Sequence, residues 1–149
     1  MDSQLLSKLL LKEKPDLTFN QLESGFYLED MPQGHFPSIT EHFPNSMFTG
    51  VHTDDHICGK LNKSAKKGHQ YFCEVLARDN ANSNFYETKH PHSSSLYEPD
   101  TEFIQNFTAL SAMKAQIVTE RTTKTIDEFV NDLNLGPVDF LRLSSQGAE

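Results

Sequence analysis

The chain has 149 residues, a length that predicts one domain. Its formal net charge of −8 and the lack of a basic block argue against a general nucleic-acid binder. Hydrophobic residues make up 36% of the chain and include eleven Phe and no Trp, so we expect phenylalanine to be the main bulky core residue.

The first segment predicts an amphipathic helix over residues 2–14, which Asp2 or Ser3 can cap and which Pro15 ends. Its apolar face consists of Leu5, Leu6, Leu9 and Leu10. A helix with such a face buries it against other elements, so we expect it to pack on one edge of the domain.

Strand signals follow, as alternating apolar and polar residues or short apolar runs between turn residues. The predicted strands are 17–22, 47–51, 70–76, 84–88, 115–121 and 138–143, the last of them buried. Asp54 is expected to cap a helix over 55–66, and Thr125 a helix that ends before Gly136-Pro137. Strands that alternate with helices predict an α/β fold with a doubly wound, mostly parallel sheet.

The most informative motif lies at the end of the printed sequence. A polar, glycine-containing turn follows the strand 138–143, and ligands of open α/β sheets bind at the carboxyl ends of strands. The segment resembles the FkbM family of S-adenosylmethionine-dependent methyltransferases, whose pattern runs roughly hydrophobic-D-hydrophobic-L-K-hydrophobic-D-x-[EQ]-G-A-E. Gln146-Gly147-Ala148-Glu149 matches that pattern, whereas Arg142 replaces its Lys and Ser144 replaces its second Asp.

Three further segments resemble the same family. Residues 50–62 match at Gly50, Asp54, Leu61 and Asn62. Ser94-Ser95-Leu96 resembles a family loop, although serine-rich loops are also common as solvent-facing linkers, and Thr125-Ile126-Asp127-Glu128 resembles the opening of a family helix. The resemblance covers nearly the whole chain but only the amino-terminal part of a family domain. It implies a Rossmann-like methyltransferase domain over 1–149 that lacks its last strands.

The resemblance also implies a site. S-adenosylmethionine would be bound at the strand ends, and its methyl group would be transferred to a hydroxyl of a sugar or other small acceptor. The implied cofactor-binding residues are Glu23, Gly25, His52, Asp54 and Asp79. The implied acceptor side comprises Ser144, Gln146 and Gly147. The resemblance assigns no catalytic residue.

The departures from the family pattern support a second hypothesis. The turn after the first strand has one glycine, His52 stands where the family has the ribose-binding acid, and Asp79 lies one place out of register. A neutral histidine offers one acceptor where a carboxylate accepts from both ribose hydroxyls. The second hypothesis is that the chain is a catalytically inactive or truncated methyltransferase-like module with a binding or structural role.

The sequence also bears on metal, hydrolase and phosphate-binding sites. His52 and His56 would need a third metal ligand, for which His90 and His92 are the candidates, and since His52 is expected to end a strand we expect no metal site. The sequence contains neither a G-x-S-x-G nucleophile elbow nor a phosphate-binding G-x-x-x-x-G-K-[ST] loop.

The cysteines and the first residues bear on the compartment. Cys58 and Cys73 form no paired metal motif and are typical of reduced, buried thiols in a cytoplasmic protein. The chain begins without a basic, apolar signal-peptide pattern, and its apolar runs are far shorter than the ~20 residues that span a bilayer. We therefore expect a cytoplasmic protein with a small-molecule partner and no membrane or nucleic-acid partner.

Overall fold

The computed structural model describes residues 3–25, 39–90 and 93–148. Its elements in chain order are α1 (Ser3–Glu13), β1 (Asn20–Ser24), α2 (Ile39–His42), β2 (Met47–His52), α3 (Asp55–Lys63), β3 (His69–Cys73), β4 (Val75–Leu76), β5 (Asn82–Thr88), α4 (Thr101–Gln105), a 3₁₀ helix (Thr108–Met113), β6 (Ala115–Lys124), α5 (Ile126–Asp132) and β7 (Phe140–Leu143). They form two compact units. Unit 1 contains the described residues up to Cys73 together with Val130–Leu143, and unit 2 contains Glu74–Phe129 and the residues from Ser144 onward.

Unit 1 is built on a four-stranded sheet in the order β3-β2-β1-β7, with every pairing parallel. This confirms the predicted α/β class with a mostly parallel sheet. From β1 the strands proceed outward through β2 to β3, and β7 then adds to the opposite side of β1. The strand order therefore reverses at β1, which makes the β1–β7 boundary a topological switch point.

Unit 2 contains a three-stranded sheet in the order β4-β6-β5. β4 runs parallel to β6, whereas β5 pairs with β6 in antiparallel fashion from Asn82↔Thr122 to Thr88↔Ala115. The prediction of a single strand over 70–76 was wrong, because the strand is interrupted at Glu74 and its two parts pair in different sheets. The strand predicted over 84–88 belongs to a mixed sheet, because hydrophobic periodicity identifies a strand without identifying its neighbour.

Phenylalanine contributes to the core of both units, as predicted. Phe43 and Phe48 are buried in unit 1, and Phe85 and Phe129 in unit 2. Phe19 meets Phe43 edge to face at a ring-centroid distance of 4.9 Å, a favoured aromatic geometry.

Helix α1 forms within one residue of its predicted bounds, but its leucine face is not packed. The four leucines of the predicted face, Leu5, Leu6, Leu9 and Leu10, are 41 to 53% exposed. The buried position is Ser7, whose hydroxyl donates to the Gln4 carbonyl oxygen at 3.1 Å. The helix therefore turns its small polar residue inward, and the predicted burial of the leucine stripe was wrong.

Throughout the part of the chain described, the helices are too short or too polar to traverse a lipid bilayer.

Strand β7 also differs from its prediction as a buried strand. Phe140 is 48% and Leu141 51% exposed. The reason is that β7 pairs on one side only, with β1, and forms an outer edge of the unit 1 sheet. An apolar run of this length identifies a strand but does not distinguish a central strand from an edge strand.

Candidate functional site

Gly25 ends β1 in a conformation that only glycine adopts readily. Its φ angle is +75°, in the left-handed region, where a side chain would be strained. Its backbone N–H donates to the carbonyl oxygen of Val51 on β2 at 3.1 Å. This hydrogen bond fixes the turn after β1 against the carboxyl end of β2, where the sequence analysis placed the cofactor.

His52 and Asp54 form a second turn, at the end of β2. The backbone N–H of Asp54 donates to Nδ1 of His52 at 2.9 Å, so a neutral His52 ring carries its proton on Nε2. Oδ1 of Asp54 accepts from the backbone amides of His56 at 2.8 Å and Ile57 at 3.2 Å. Asp54 therefore caps α3 as predicted, and its exposed carboxylate is held at the carboxyl edge of the sheet.

Glu23 lies inside β1 and not in the turn that follows it, and it is only 2% exposed. Its Oε1 accepts from Nε2 of Gln21 at 2.7 Å, and its Oε2 lies 3.5 Å from Nη1 of Arg142. In register, Glu23 stands between Arg142 on β7 and Gly50 on β2. The buried carboxylate is thus paired at the switch point of the sheet.

Gly50, the register partner of Glu23 on β2, has no side chain. The register partner of Gly50 on β3 is Tyr71. Going from Glu23 on β1 across β2 to β3, Tyr71 therefore supplies the next side chain. Burial, and then the negative charge of Glu23, raise the pKa of the Tyr71 phenol. The charge of Glu23 is therefore the second cause of the raised pKa of Tyr71, after burial.

Gln21, Tyr71 and Arg142 are site residues that were not predicted from the sequence. Gln21 is 9% exposed, and its Oε1 accepts from the backbone N–H of Ile39 at 2.7 Å. The signal that could have revealed the cluster is the polar pair Gln21 and Glu23, two positions apart within a strand that is buried although four of its five residues are polar. Residues two apart on a strand share a face, so both point to the same side of the sheet.

The other predicted site residues belong to unit 2. Asp79 is exposed, and its carbonyl oxygen accepts from Oγ1 of Thr123 at 2.7 Å. Gln146 and Gly147 follow Ser144 in a turn with φ angles of +52° and +96°. The structure therefore brings Glu23, Gly25, His52 and Asp54 together in unit 1, while Asp79, Ser144, Gln146 and Gly147 belong to the other unit.

Two segments that carry the family resemblance meet within unit 2. Ser95, which is 6% exposed, donates its Oγ hydrogen to the carbonyl oxygen of Gln146 at 2.9 Å. A Cβ added to Gly147 would lie 3.5 Å from the ring of Tyr97. The Ser94-Ser95-Leu96 loop is therefore attached to the Gln146-Gly147 turn and is not a solvent-facing linker at Ser95.

A cavity of about 250 Å³ opens on the unit 1 sheet. Leu22, Thr49 and Gln70 form a row across three strands at its wall, where Nε2 of Gln70 donates to Oγ1 of Thr49 at 2.9 Å. None of the predicted cofactor residues is among its lining residues. Within residues 3–25, 39–90 and 93–148, no three His, Cys, Asp or Glu side chains are grouped as metal ligands.

His69 at the start of β3 connects several elements of unit 1. Its ring stacks on Phe48 at a centroid distance of 5.0 Å, and its Nε2 lies 2.6 Å from Oγ1 of Thr40. Burial, followed by the positive charge of Lys66, lowers the pKa of His69, while Glu41 acts in the opposite direction. The folded protein therefore favours the neutral ring.

This preference predicts a pH dependence of stability. The pKa of His69 is lower in the folded than in the unfolded chain. Its contribution to the free energy of unfolding is therefore complete above pH ~6.5 and is lost as the pH falls through the folded pKa. Urea unfolding of the wild type should show a falling free energy of unfolding below that pH. His69→Gln should lose this part of the slope, and Lys66→Gln should reduce it. An unchanged slope in His69→Gln would contradict the assignment.

This chain matches no protein-family model, no curated protein and no solved structure.

Proposed function

We propose that this chain is an S-adenosylmethionine-dependent methyltransferase of the FkbM-like type, with its cofactor at the carboxyl edge of β1 and β2 in unit 1. The acceptor would be a hydroxyl of a sugar or another small molecule. The proposal rests on the sequence resemblance together with a parallel sheet whose strand order reverses at β1. Ligands of open α/β sheets bind outside the carboxyl ends of strands at such a reversal.

The single observation that carries the proposal is the conformation of Gly25. A left-handed glycine at the end of β1 allows a ligand to approach the backbone closely. Its amide is joined to Val51, so this turn and the His52–Asp54 turn lie at the ends of adjacent strands. Both predicted cofactor turns therefore occupy one edge of one sheet.

The side chains at this edge suit the ribose of the cofactor. Ribose hydroxyls both donate and accept hydrogen bonds. An ionised carboxylate has about four acceptor positions, so Asp54 retains acceptor capacity after capping α3. His52, whose neutral ring carries its proton on Nε2, stands beside Asp54 at this edge. When bound, S-adenosylmethionine supplies the electrophilic methyl group, and the protein has to orient the acceptor and exclude water.

A second function, as a binding or structural module without catalysis, is favoured by a different observation. The polar side chains at the edge already have partners inside the chain: Glu23 pairs with Arg142, His52 accepts from Asp54, and Asp54 caps α3. A polar network of this kind stabilises a sheet without any ligand.

Calorimetric titration with S-adenosylmethionine separates the two functions. We expect saturable binding by the wild type, weakened about 5- to 150-fold by Asp54→Ala, which corresponds to ~1–3 kcal/mol for a hydrogen bond to a charged group. Because Asp54→Ala also removes the cap of α3, Asp54→Asn is the matched variant. Asparagine caps a helix about as well as aspartate, so it should preserve stability while still weakening binding.

The outcomes have distinct meanings. No binding by the folded wild type would overturn the methyltransferase proposal and favour the structural module. Binding that both Asp54 variants leave unchanged would remove Asp54 from the ribose contact. Methyl transfer to hydroxyl acceptors, followed by mass spectrometry, then tests catalysis itself.

A further inference from the structure

Cys58 and Cys73 lie side by side in unit 1. Cys58, on α3, is 3% exposed, and its Sγ donates to the carbonyl oxygen of Phe72 at 3.2 Å and lies 3.8 Å from that of His52. Cys73 follows Phe72 at the end of β3, and its register partner on β2 is His52. The sulfur of Cys58 therefore contacts the carbonyl of the residue before Cys73 and lies close to the carbonyl of His52, the register partner of Cys73.

We propose that Cys58 and Cys73 form a reversible intramolecular disulfide by exchange with a low-molecular-weight disulfide such as oxidised glutathione. Both residues carry thiols in this structure, and they are the only cysteines in the sequence. The backbone contacts of Cys58 hold its sulfur next to Cys73 before any reaction, which favours closure within one molecule.

The exposure of the two residues sets the order of the steps. Cys73 is partly exposed and Cys58 is buried, so the thiolate of Cys73 attacks the external disulfide first. This forms a mixed disulfide on Cys73 and releases one small thiol. The thiolate of Cys58 then attacks the Cys73 sulfur, forms the internal disulfide and releases the second small thiol. The two cysteine protons are taken up by the two released thiolates, so two electrons pass from the cysteine pair to the external disulfide.

The second step is the slower one, because Cys58 is difficult to ionise. In the reduced protein, burial and then the nearby Cys73 raise the pKa of Cys58 to about 11, and burial still opposes its ionisation once Cys73 carries the mixed disulfide. Asp55 on the same helix contributes in the same direction, and the backbone of His52 on β2 opposes it. The mixed disulfide on Cys73 should therefore be detectable before closure.

Formation of the disulfide between Cys58 and Cys73 affects the start of α3. An S–S bond is ~2.05 Å long, so the Cys58 sulfur has to leave its carbonyl contacts to reach Cys73. The backbone N–H of Cys58 donates to the carbonyl oxygen of Asp54 at 3.1 Å, so a shift of Cys58 is transmitted to the His52–Asp54 turn. Oxidation is expected to increase amide hydrogen exchange in that turn, whether or not the turn binds a cofactor.

The test uses the full chain, folded and reduced, with oxidised glutathione at low protein concentration, followed by peptide mapping without reduction. The wild type should give a peptide pair linked through Cys58 and Cys73, lose both thiols, retain no glutathione and return to the starting mass with dithiothreitol. Cys58→Ser should accumulate one glutathione on Cys73. Cys73→Ser should react at least tenfold more slowly.

Several results would overturn the proposal: a wild type that stays reduced, one that keeps glutathione without closing, or one whose disulfides join separate molecules. Because the linked peptide is measured on the wild type, the result does not depend on how the variants fold. It is also independent of S-adenosylmethionine binding.

Discussion

Replacing Gly68 with alanine should destabilise unit 1 by about 2–4 kcal/mol, from strain in the left-handed region together with overpacking. Gly68 has a φ angle of +81°, and an added Cβ would lie 2.7 Å from the carbonyl oxygen of Ser46. That oxygen cannot move aside easily, because Ser46 is 1% exposed and its Oγ accepts from the backbone N–H of Phe19. Gly68 is held from its other side as well, since its carbonyl accepts from the Phe48 amide at 2.7 Å.

Gly59→Ala is the matched control. Gly59 lies within α3, and a Cβ there would meet nothing within 4 Å. Alanine is better than glycine in a helix by about 0.8–1.0 kcal/mol, so this substitution should stabilise the protein. Urea unfolding of both variants should therefore give shifts of opposite sign. A Gly68→Ala variant as stable as the wild type would show that the turn at Gly68 is not constrained as described.

Arg142→Met should destabilise the protein by about 2–4 kcal/mol, because it leaves the carboxylate of Glu23 buried without its cation. Glu23 is 2% exposed and would retain only its hydrogen bond from Gln21 among the described carboxylate contacts. Arg142 itself is partly exposed, which places the expected cost below that of a fully buried pair. Combining Arg142→Met with Glu23→Gln should recover much of the loss, since the buried charge is then gone.

The ion pair of Arg121 and Glu87 provides the control. Its nitrogen and oxygen are also 3.5 Å apart, but its side chains are 38% and 36% exposed. An exposed pair contributes about 0–1 kcal/mol, so Arg121→Met should have a small effect. Equal losses for the two arginine variants would mean that burial of Glu23 does not determine the cost of breaking its pair.

The local features of the fold could be predicted from the sequence because they depend on neighbouring residues. Asp54 caps α3 and Thr125 accepts from the amide of Glu128 at 3.2 Å, as the residue types indicated. Strand pairing depends on distant residues and could not be predicted. Nothing near 84–88 reveals that β5 pairs with β6 in antiparallel fashion, and nothing near 138–143 reveals that β7 forms an edge.

The candidate site shows the same division. Gly25, His52 and Asp54 were identified as strand-end residues, and the structure has them in adjacent turns of unit 1. The partnership of Glu23 with Arg142 joins residues 119 positions apart and required the register of β1 against β7. Their role in a cofactor site remains a prediction.

Strand β7 is the last strand in the sequence but pairs with β1, the first, and this has a consequence for the order of folding. Pairing β1 with β2 joins residues 27 positions apart, as at Asn20 and Met47, whereas pairing β1 with β7 joins Gln21 to Phe140. Loop-closure entropy makes the second pairing costlier by about 1.3 kcal/mol for a flexible chain. Contacts of large sequence separation slow folding, so β1, β2 and β3 should associate before β7 docks. The buried carboxylate of Glu23 then meets Arg142 only in that last step. The ion pair therefore stabilises the completed sheet and does not contribute to its nucleation.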